Sequence, residues 1–136
     1  MKKLISTTYS DNAFNFAMLL QRVVMGLILL MAHGVPKITN FSALSRSFFD
    51  PFGIGHRNTL LLSIFAEVFC AMLLVLGLFT RLAALIIVLD LSVAVFMYHR
   101  GQPLHNAELG IVCLAGIFSI LLLGPGRVSV DGMMGK

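Results

Sequence analysis

The chain has 136 residues, of which 58% are hydrophobic and only 12% are charged, and its formal net charge is +4. A soluble domain carries about 25% charged residues, so the composition excludes an ordinary water-soluble domain. The basic residues form no run and no pattern with aromatic residues, which argues against nucleic-acid binding. The positive charge suits contact with anionic lipid headgroups instead.

Four apolar runs predict four membrane-spanning helices, at about 14–32, 59–79, 82–98 and 107–123. Each run is roughly 17–21 residues long, close to the length that a helix needs to cross the hydrocarbon core of a bilayer. Four spans in so short a chain leave little room for a soluble domain. We therefore expect one all-α domain over residues 1–136, a multi-pass four-helix bundle.

The loop after the first span, roughly 34–58, is the longest connection. Within it Phe41, Leu44 and Phe48 recur at helical spacing after Asn40, a candidate N-cap. This spacing predicts a short amphipathic helix that lies in the membrane interface or folds back over the bundle. The next connection is very short, since Gly77 can end the second helix and Thr80 can cap the third, so these two helices are predicted to be antiparallel neighbours.

The distribution of basic residues gives a weak signal for orientation. With four spans the two termini share one side, and the positive-inside rule places the more basic side in the cytoplasm. Lys2, Lys3, Arg81, Arg127 and Lys136 lie on the side of the termini, against Lys37, Arg46, Arg57 and Arg100 on the other. The balance marginally favours cytoplasmic termini.

Ionisable residues inside the spans are the strongest pointers to function. A charge at the bilayer centre costs about 2.5–3.5 kcal/mol on insertion scales, so such residues are rare and paired. Arg22, Glu67 and Asp90 lie inside predicted spans, and Glu108 begins the fourth. Depths counted at about 1.5 Å per residue place Arg22 and Glu67 within about one turn of each other. We therefore predict a buried Arg22–Glu67 ion pair, with Asp90 competing for the arginine.

Histidines and cysteines offer further candidates. The helix count places all four histidines at one membrane face, near Glu108: His33, His56, His99 and His105. They suit metal, haem or proton-transfer roles, or simple hydrogen bonds to headgroups and loop carbonyls. No HxxxH or HExxH spacing occurs, so no metal site is predicted. His33 shares a helix face with Arg22 and is the histidine expected to line a site. Cys70 and Cys113 form no CxxC motif and are interpreted as core residues.

Three segments in this order resemble the DoxX family of small four-helix bacterial membrane proteins: "QRVVMGLILLMAHGVPK", "AEVFCAMLLVLGLFTRLAAL" and "AELGIVCLAGIFSILLLGPGRVSVDG". The similarity extends from Arg22 nearly to the end of the chain, and Asp90 lies outside the family pattern. The matching positions are Arg22, Gly26, His33, Gly34, Lys37, Glu67, Gly77, Thr80, Arg81, Glu108, Gly124, Pro125, Gly126, Arg127 and Asp131. The resemblance implies a bacterial inner-membrane protein associated with redox work. Members are described as the small subunit of a thiosulfate:quinone oxidoreductase or as parts of complexes that handle oxidative and thiol stress.

Three functional interpretations follow. In the first, the protein is a subunit of a redox complex and binds a quinone in the bundle, where Arg22 or His33 holds a carbonyl and Glu67 or Glu108 handles the proton. No residue carries electrons and no flavin or metal motif occurs, so a redox partner protein would be needed and catalysis by the chain alone is not expected. The second is a non-catalytic anchor or assembly factor. The third is a carrier or receptor for a small apolar or anionic solute, with Arg22 as counter-ion. The candidate ligand-binding or proton-handling residues are Arg22, His33, Lys37, Glu67 and Glu108. Self-association is left open.

Overall fold

The computed structural model describes residues 1–135, and its principal elements are all helical. The helices are α1 (Asp11–Thr39), α2 (Phe41–Leu44), α3 (His56–Leu76), α4 (Thr80–Tyr98), α5 (Glu108–Leu123) and α6 (Val130–Met133). Helices α1, α3 and α4 are each long and apolar enough to cross a membrane, whereas α5 is a shorter apolar helix. The predicted all-α class is confirmed. Lys136, one of the basic residues in the orientation count, lies outside the described residues.

The interior of the bundle is apolar, and so is much of its exterior. Leu29, Leu74, Ile87 and Ile117 are fully buried where α1, α3, α4 and α5 meet. Large apolar side chains cover the outside of the same helices, including Phe16, Leu62, Leu89, Phe118 and Leu122. A continuous apolar exterior of this kind is suited to lipid and would be an aggregation hazard in water. The fold is therefore that of a membrane helical bundle.

Helices α1 and α3 are antiparallel and approach closely at two glycines of α1. A Cβ atom on Gly26 would lie 2.6 Å from the Val75 Cγ2 atom, and one on Gly34 would lie 2.8 Å from the Glu67 carbonyl oxygen. Small residues at such crossings let membrane helices pack backbone to backbone. Gly34 thus fixes the level of Glu67 relative to α1.

The turn between α3 and α4 confirms one sequence prediction and corrects another. Gly77 ends α3 in the left-handed conformation, with φ 76°, and the N–H groups of Gly77 and Leu78 donate to the Leu73 carbonyl. The predicted Thr80 cap is wrong, because Thr80 is already the first residue of α4. The Asp131 carboxylate instead accepts hydrogen bonds from the N–H groups of Phe79 and Thr80, at 2.9 and 2.8 Å. The cap is supplied from the C-terminal segment.

The loop after α1 folds back over one end of the bundle. Phe41 and Leu44 of α2 are half-buried, as predicted for an amphipathic helix, but Asn40 does not cap it, and its amide donates to the Pro36 carbonyl instead. The Phe49 ring packs edge-on against Tyr98 of α4, with centroids 5.3 Å apart.

Asp50 holds the turn that leads into α3. Desolvation raises the pKa of this carboxyl, but hydrogen bonds from Gly55, Thr59 and Ile54 outweigh that effect and keep its pKa below the ordinary value. Residues 41–50 therefore form a folded cap, which we call the cap segment.

Each long helix contains one π-helical segment, in which the backbone hydrogen bonds run from residue i to i+5. These segments are Leu30–Gly34, Phe65–Cys70 and Ala94–Tyr98. In α4, for example, the His99 N–H donates to the Ala94 carbonyl at 3.0 Å. Isolated π-turns are rare and occur frequently at functional sites. Those of α1 and α4 lie toward the end of the bundle away from the termini, and that of α3 lies in the middle of its helix, level with Gly34.

We predict that the Gly34→Ala substitution destabilises the protein by about 1–3 kcal/mol, because the new methyl group would meet a backbone oxygen that cannot move alone. Thermal unfolding in detergent micelles measures the effect. Gly116→Ala is the matched control, since its methyl group would meet the flexible Met25 side chain, and its effect should stay within about 0.5 kcal/mol. Equal losses in the two variants would contradict the close α1–α3 crossing.

Candidate functional site

A cavity of about 560 Å³ lies under the cap segment, between α1, α3, α4 and the start of α5. This volume falls within the range of about 300–1,000 Å³ typical of small-molecule sites. Its polar lining includes side chains of the three long helices, namely His33, Lys37, Ser63, Glu67 and Asp90, and His99 just after the end of α4. Its apolar lining includes the rings of Phe48, Phe49 and Tyr98. The three π-turns surround this cavity.

Lys37 and Glu67 form an ion pair in the wall of the cavity. The Lys37 ammonium group hydrogen-bonds to the Glu67 carboxylate and to the Ser63 hydroxyl, the latter at 2.7 Å. Glu67 is 1% exposed, and the ammonium also lies 5.5 Å from the centre of the Phe48 ring. Burial makes both the desolvation and the mutual attraction of such a pair large. The ion pair therefore links the end of α1 to the middle of α3 and to the cap segment.

Asp90 is the second acid of the cavity. Its carboxyl interacts with the side chains of Glu67 and Ser63 and electrostatically with Lys37, which brings two carboxyl groups to one ammonium group. Within residues 1–135, four buried side-chain atoms have no hydrogen-bond partner: Asp90 Oδ2, His33 Nε2, Arg22 Nε and Thr80 Oγ1. Buried polar atoms are nearly always hydrogen-bonded, so each exception calls for an explanation. The first two atoms belong to residues that line the cavity.

The predicted Arg22–Glu67 ion pair is wrong. The Arg22 guanidinium group donates to the carbonyl oxygens of Pro125 and Val128, at 2.6 and 2.8 Å, and interacts electrostatically with Asp131. It is 2% exposed and lies against Gly77, where an added Cβ would be 2.9 Å from its Cζ atom. Arg22 therefore fastens the segment after α5 to the bundle.

The error arose from the length of α1. The predicted span ends at residue 32, but α1 continues to Thr39 and carries Lys37 with it. Glu67 lies level with Gly34, which is about 18 Å along the helix from Arg22 at about 1.5 Å per residue. Lys37, placed on the same face as His33 by a spacing of four residues, is the base that reaches the acid.

The other predicted site residues are divided between the cavity and the surface. Glu108 is exposed at the first turn of α5 and does not line the cavity. His56 is exposed and contacts the Phe48 carbonyl, and His105 is exposed in the single-turn 3₁₀ helix Leu104–Asn106. His33 and His99 line the cavity.

The sequence assigns Asp90 only the role of a buried charge. It singles out His33 rather than His99 as the histidine that lines a site, and it gives no site role to Ser63 or Tyr98. The spacing of four residues between Ser63 and Glu67 was the signal that could have added Ser63. Cys70 and Cys113 are buried free thiols, and within residues 1–135 no group of three or more His, Cys, Asp or Glu side chains could hold a metal ion.

Fold and site together define a small multi-pass membrane bundle that encloses a charged cavity in an apolar core. The DoxX family model matches residues 17–100, which is more than half of the chain, and the protein belongs to the DoxX family. The match covers α1 to α4 and includes Lys37, Glu67 and Asp90. The predicted family is confirmed.

A curated relative is similar over most of its length. The chain is 28% identical to the "Uncharacterized membrane protein Rv3486" of Mycobacterium tuberculosis over 130 residues, which cover 85% of this chain and 79% of the relative. No solved structure matches the chain. The relative supports assignment as a membrane protein.

Replacing one partner of the Lys37–Glu67 ion pair should be more harmful than replacing both. Lys37→Met leaves a buried, uncompensated carboxylate and should cost about 3–5 kcal/mol, whereas the Lys37→Met/Glu67→Met double variant should recover most of that loss. Thermal unfolding of the wild type, Lys37→Met and the double variant in the same detergent measures the two losses of stability. A loss in the double variant equal to that of Lys37→Met, or larger, would show that the two side chains do not stabilise each other.

Arg22→Lys should loosen the C-terminal segment, because an ammonium group cannot reproduce the planar fork that holds two carbonyl oxygens. We expect a loss of about 1–3 kcal/mol and faster tryptic cleavage at the exposed Arg127. Arg57→Lys, at an exposed position at the start of α3, is the control and should change neither. An unchanged cleavage rate in Arg22→Lys would contradict the proposed fastening.

Proposed function

We propose that the protein is a subunit of a redox-associated complex in a bacterial inner membrane and that its cavity binds a quinone. The observation that carries the proposal is the composition of the cavity wall. Aromatic rings from the cap segment and α4 line one part of it, and its polar lining includes Asp90 and His33, each with a buried polar atom that has no partner in residues 1–135. A flat apolar ring with polar groups at its edge is complementary to such a wall.

The chemistry assigned to the cavity residues differs in part from that expected from sequence. Arg22 and Glu108 lie outside the cavity, so the carbonyl-binding role passes to His33 and Asp90. Glu67 is held as a carboxylate by Lys37, and Asp90 lies beside it as a further proton-handling group. A quinone changes its protonation when it is reduced, so a site with acids and a histidine at its polar end suits it.

Electron transfer has to come from another protein. Flavin, haem or reactive-thiol chemistry is needed to exchange electrons with a quinone, and the residues of this chain supply none of these groups. The redox role rests on the family resemblance, and it requires a redox partner protein. The termini are proposed to face the cytoplasm.

The proposal is tested by blocking the cavity. Ala94 lines the cavity in the π-turn of α4, and Ala94→Phe would fill the space that the ring occupies. After purification of the full chain from native membranes, the quinone extracted per protein should fall about tenfold or more in this variant. Mass spectrometry identifies and quantifies the quinone.

Ala115→Phe makes the same change at an exposed position of α5 and should leave the quinone content unchanged. Equal amounts of quinone in both variants would place the ligand elsewhere. If the wild type copurifies without quinone and gives no saturable binding in lipid nanodiscs, the proposed function is wrong and the anchor or assembly role is favoured.

A further inference from the structure

We infer that Asp90 holds the exchangeable proton of the cavity and donates a hydrogen bond from its carboxyl group to a carbonyl oxygen of the bound ligand. The inference rests on the proposed function for the identity of the ligand. It deepens that proposal by assigning the residue that recognises the ligand's carbonyl group and by linking binding to proton concentration.

The charges around Asp90 do not balance if both acids are ionised. Helix α1 contributes Lys37 and His33, α3 contributes Glu67 and Ser63 with Cys70 nearby, and His99 lies just after the end of α4. The described residues that α5 adds to the lining, Leu109 and Gly110, carry no charge. One ammonium group therefore faces two carboxyl groups in an apolar surrounding.

Two adjacent carboxyl groups in such a place do not both ionise, so one of them keeps its proton. The contacts decide which of the two acids carries that proton. The Lys37 ammonium group hydrogen-bonds directly to Glu67, which stabilises Glu67 as the carboxylate.

Asp90 has no such direct contact with the ammonium, and its Oδ2 atom is buried without a partner in residues 1–135. A protonated carboxyl group has one O–H donor. Asp90 lines the cavity, so the O–H donor of its carboxyl group is the one that would reach a ligand there.

A carbonyl oxygen is the ligand group that matches a carboxylic O–H donor. The unpartnered His33 Nε2 atom offers a second hydrogen-bonding position in the same cavity, and the rings of Phe48, Phe49 and Tyr98 offer an apolar wall. A ring that bears two carbonyl groups, which is the chemistry of a quinone, can use both positions at once. No electron or covalent bond moves in this step, since the proton stays on Asp90 while it donates.

Binding should depend on pH in a definite direction. The donor exists only while Asp90 is protonated, so raising the pH through its titration removes the donor and adds a negative charge beside Glu67. Affinity should therefore be highest at low pH and should fall by about tenfold per pH unit once Asp90 ionises, as linkage to one proton requires.

Two substitutions of Asp90 distinguish the effect of its hydrogen-bond donor from the effect of its ionisation. Asp90→Asn keeps a donor of nearly the same shape that cannot ionise, so its affinity should be retained at low pH and change by less than about twofold across the pH range. Asp90→Leu removes the donor and should bind about tenfold more weakly at low pH, which is the loss of about one hydrogen bond.

The measurement is isothermal titration of a short-chain benzoquinone into the full-length protein in lipid nanodiscs, from acidic to alkaline pH. A pH dependence in Asp90→Asn equal to that of the wild type would overturn the inference, because Lys37, His33 or His99 would then be the titrating group.

A second measurement needs no ligand. The infrared spectrum of the empty protein should contain the C=O stretching band of a protonated carboxyl group, and this band should vanish in Asp90→Asn but persist in Asp11→Asn, a change at an exposed and distant acid. A band that persists in Asp90→Asn would overturn the inference even if the quinone binds. If the band vanishes but benzoquinone binds to no variant at any pH, the proposed function fails while the assignment of the proton to Asp90 stands.

Discussion

The ion pair between Lys37 and Glu67 determines the character of the whole cavity. A bilayer offers no water to solvate a charge, so every charged group in the bundle must find its partner inside the protein. Lys37 reaches down from the end of α1 and neutralises Glu67 in the middle of α3. That contact joins two helices and draws the cap segment over the cavity through Phe48. Because the Lys37 ammonium group already neutralises Glu67, Asp90 remains in the cavity as a second acid without a base of its own.

Arg22 serves the other end of the bundle. Its guanidinium group is bound by two backbone carbonyls of the C-terminal segment, and Asp131 of that segment caps α4. These contacts close the bundle near the termini without leaving an acid in need of a partner. Had Arg22 paired with Glu67, as the sequence suggested, Lys37 would have been left to neutralise Asp90, and the cavity would have had no second acid without a base. The division of the two bases between the two ends therefore decides which ligand chemistry the cavity can accept.

Much of this fold could be predicted from the sequence, because four apolar runs and Gly77 leave few alternatives to an antiparallel helical bundle. The far end of α1 could not be predicted, because Pro36 normally breaks a helix by removing an N–H group and crowding the preceding turn. Here the π-turn Leu30–Gly34 precedes the proline and the helix continues to Thr39. Counting depth from residue 32 then placed Glu67 beside the wrong base. The contacts of Arg22 and Asp131 with backbone groups could not be predicted either, since backbone atoms leave no pattern in a sequence.

The remaining question is why the cavity is there at all. A helix bundle that served only as an anchor would be most stable with this space filled by apolar side chains and with regular α-helical hydrogen bonding. Instead, three helices carry π-turns around the same volume, and Asp90 and His33 each keep a buried polar atom without a partner in the described chain. Each of these features lowers the stability of the empty protein. Since such departures from the most stable arrangement concentrate at functional sites, their coincidence around one cavity favours a bound ligand over a purely structural role.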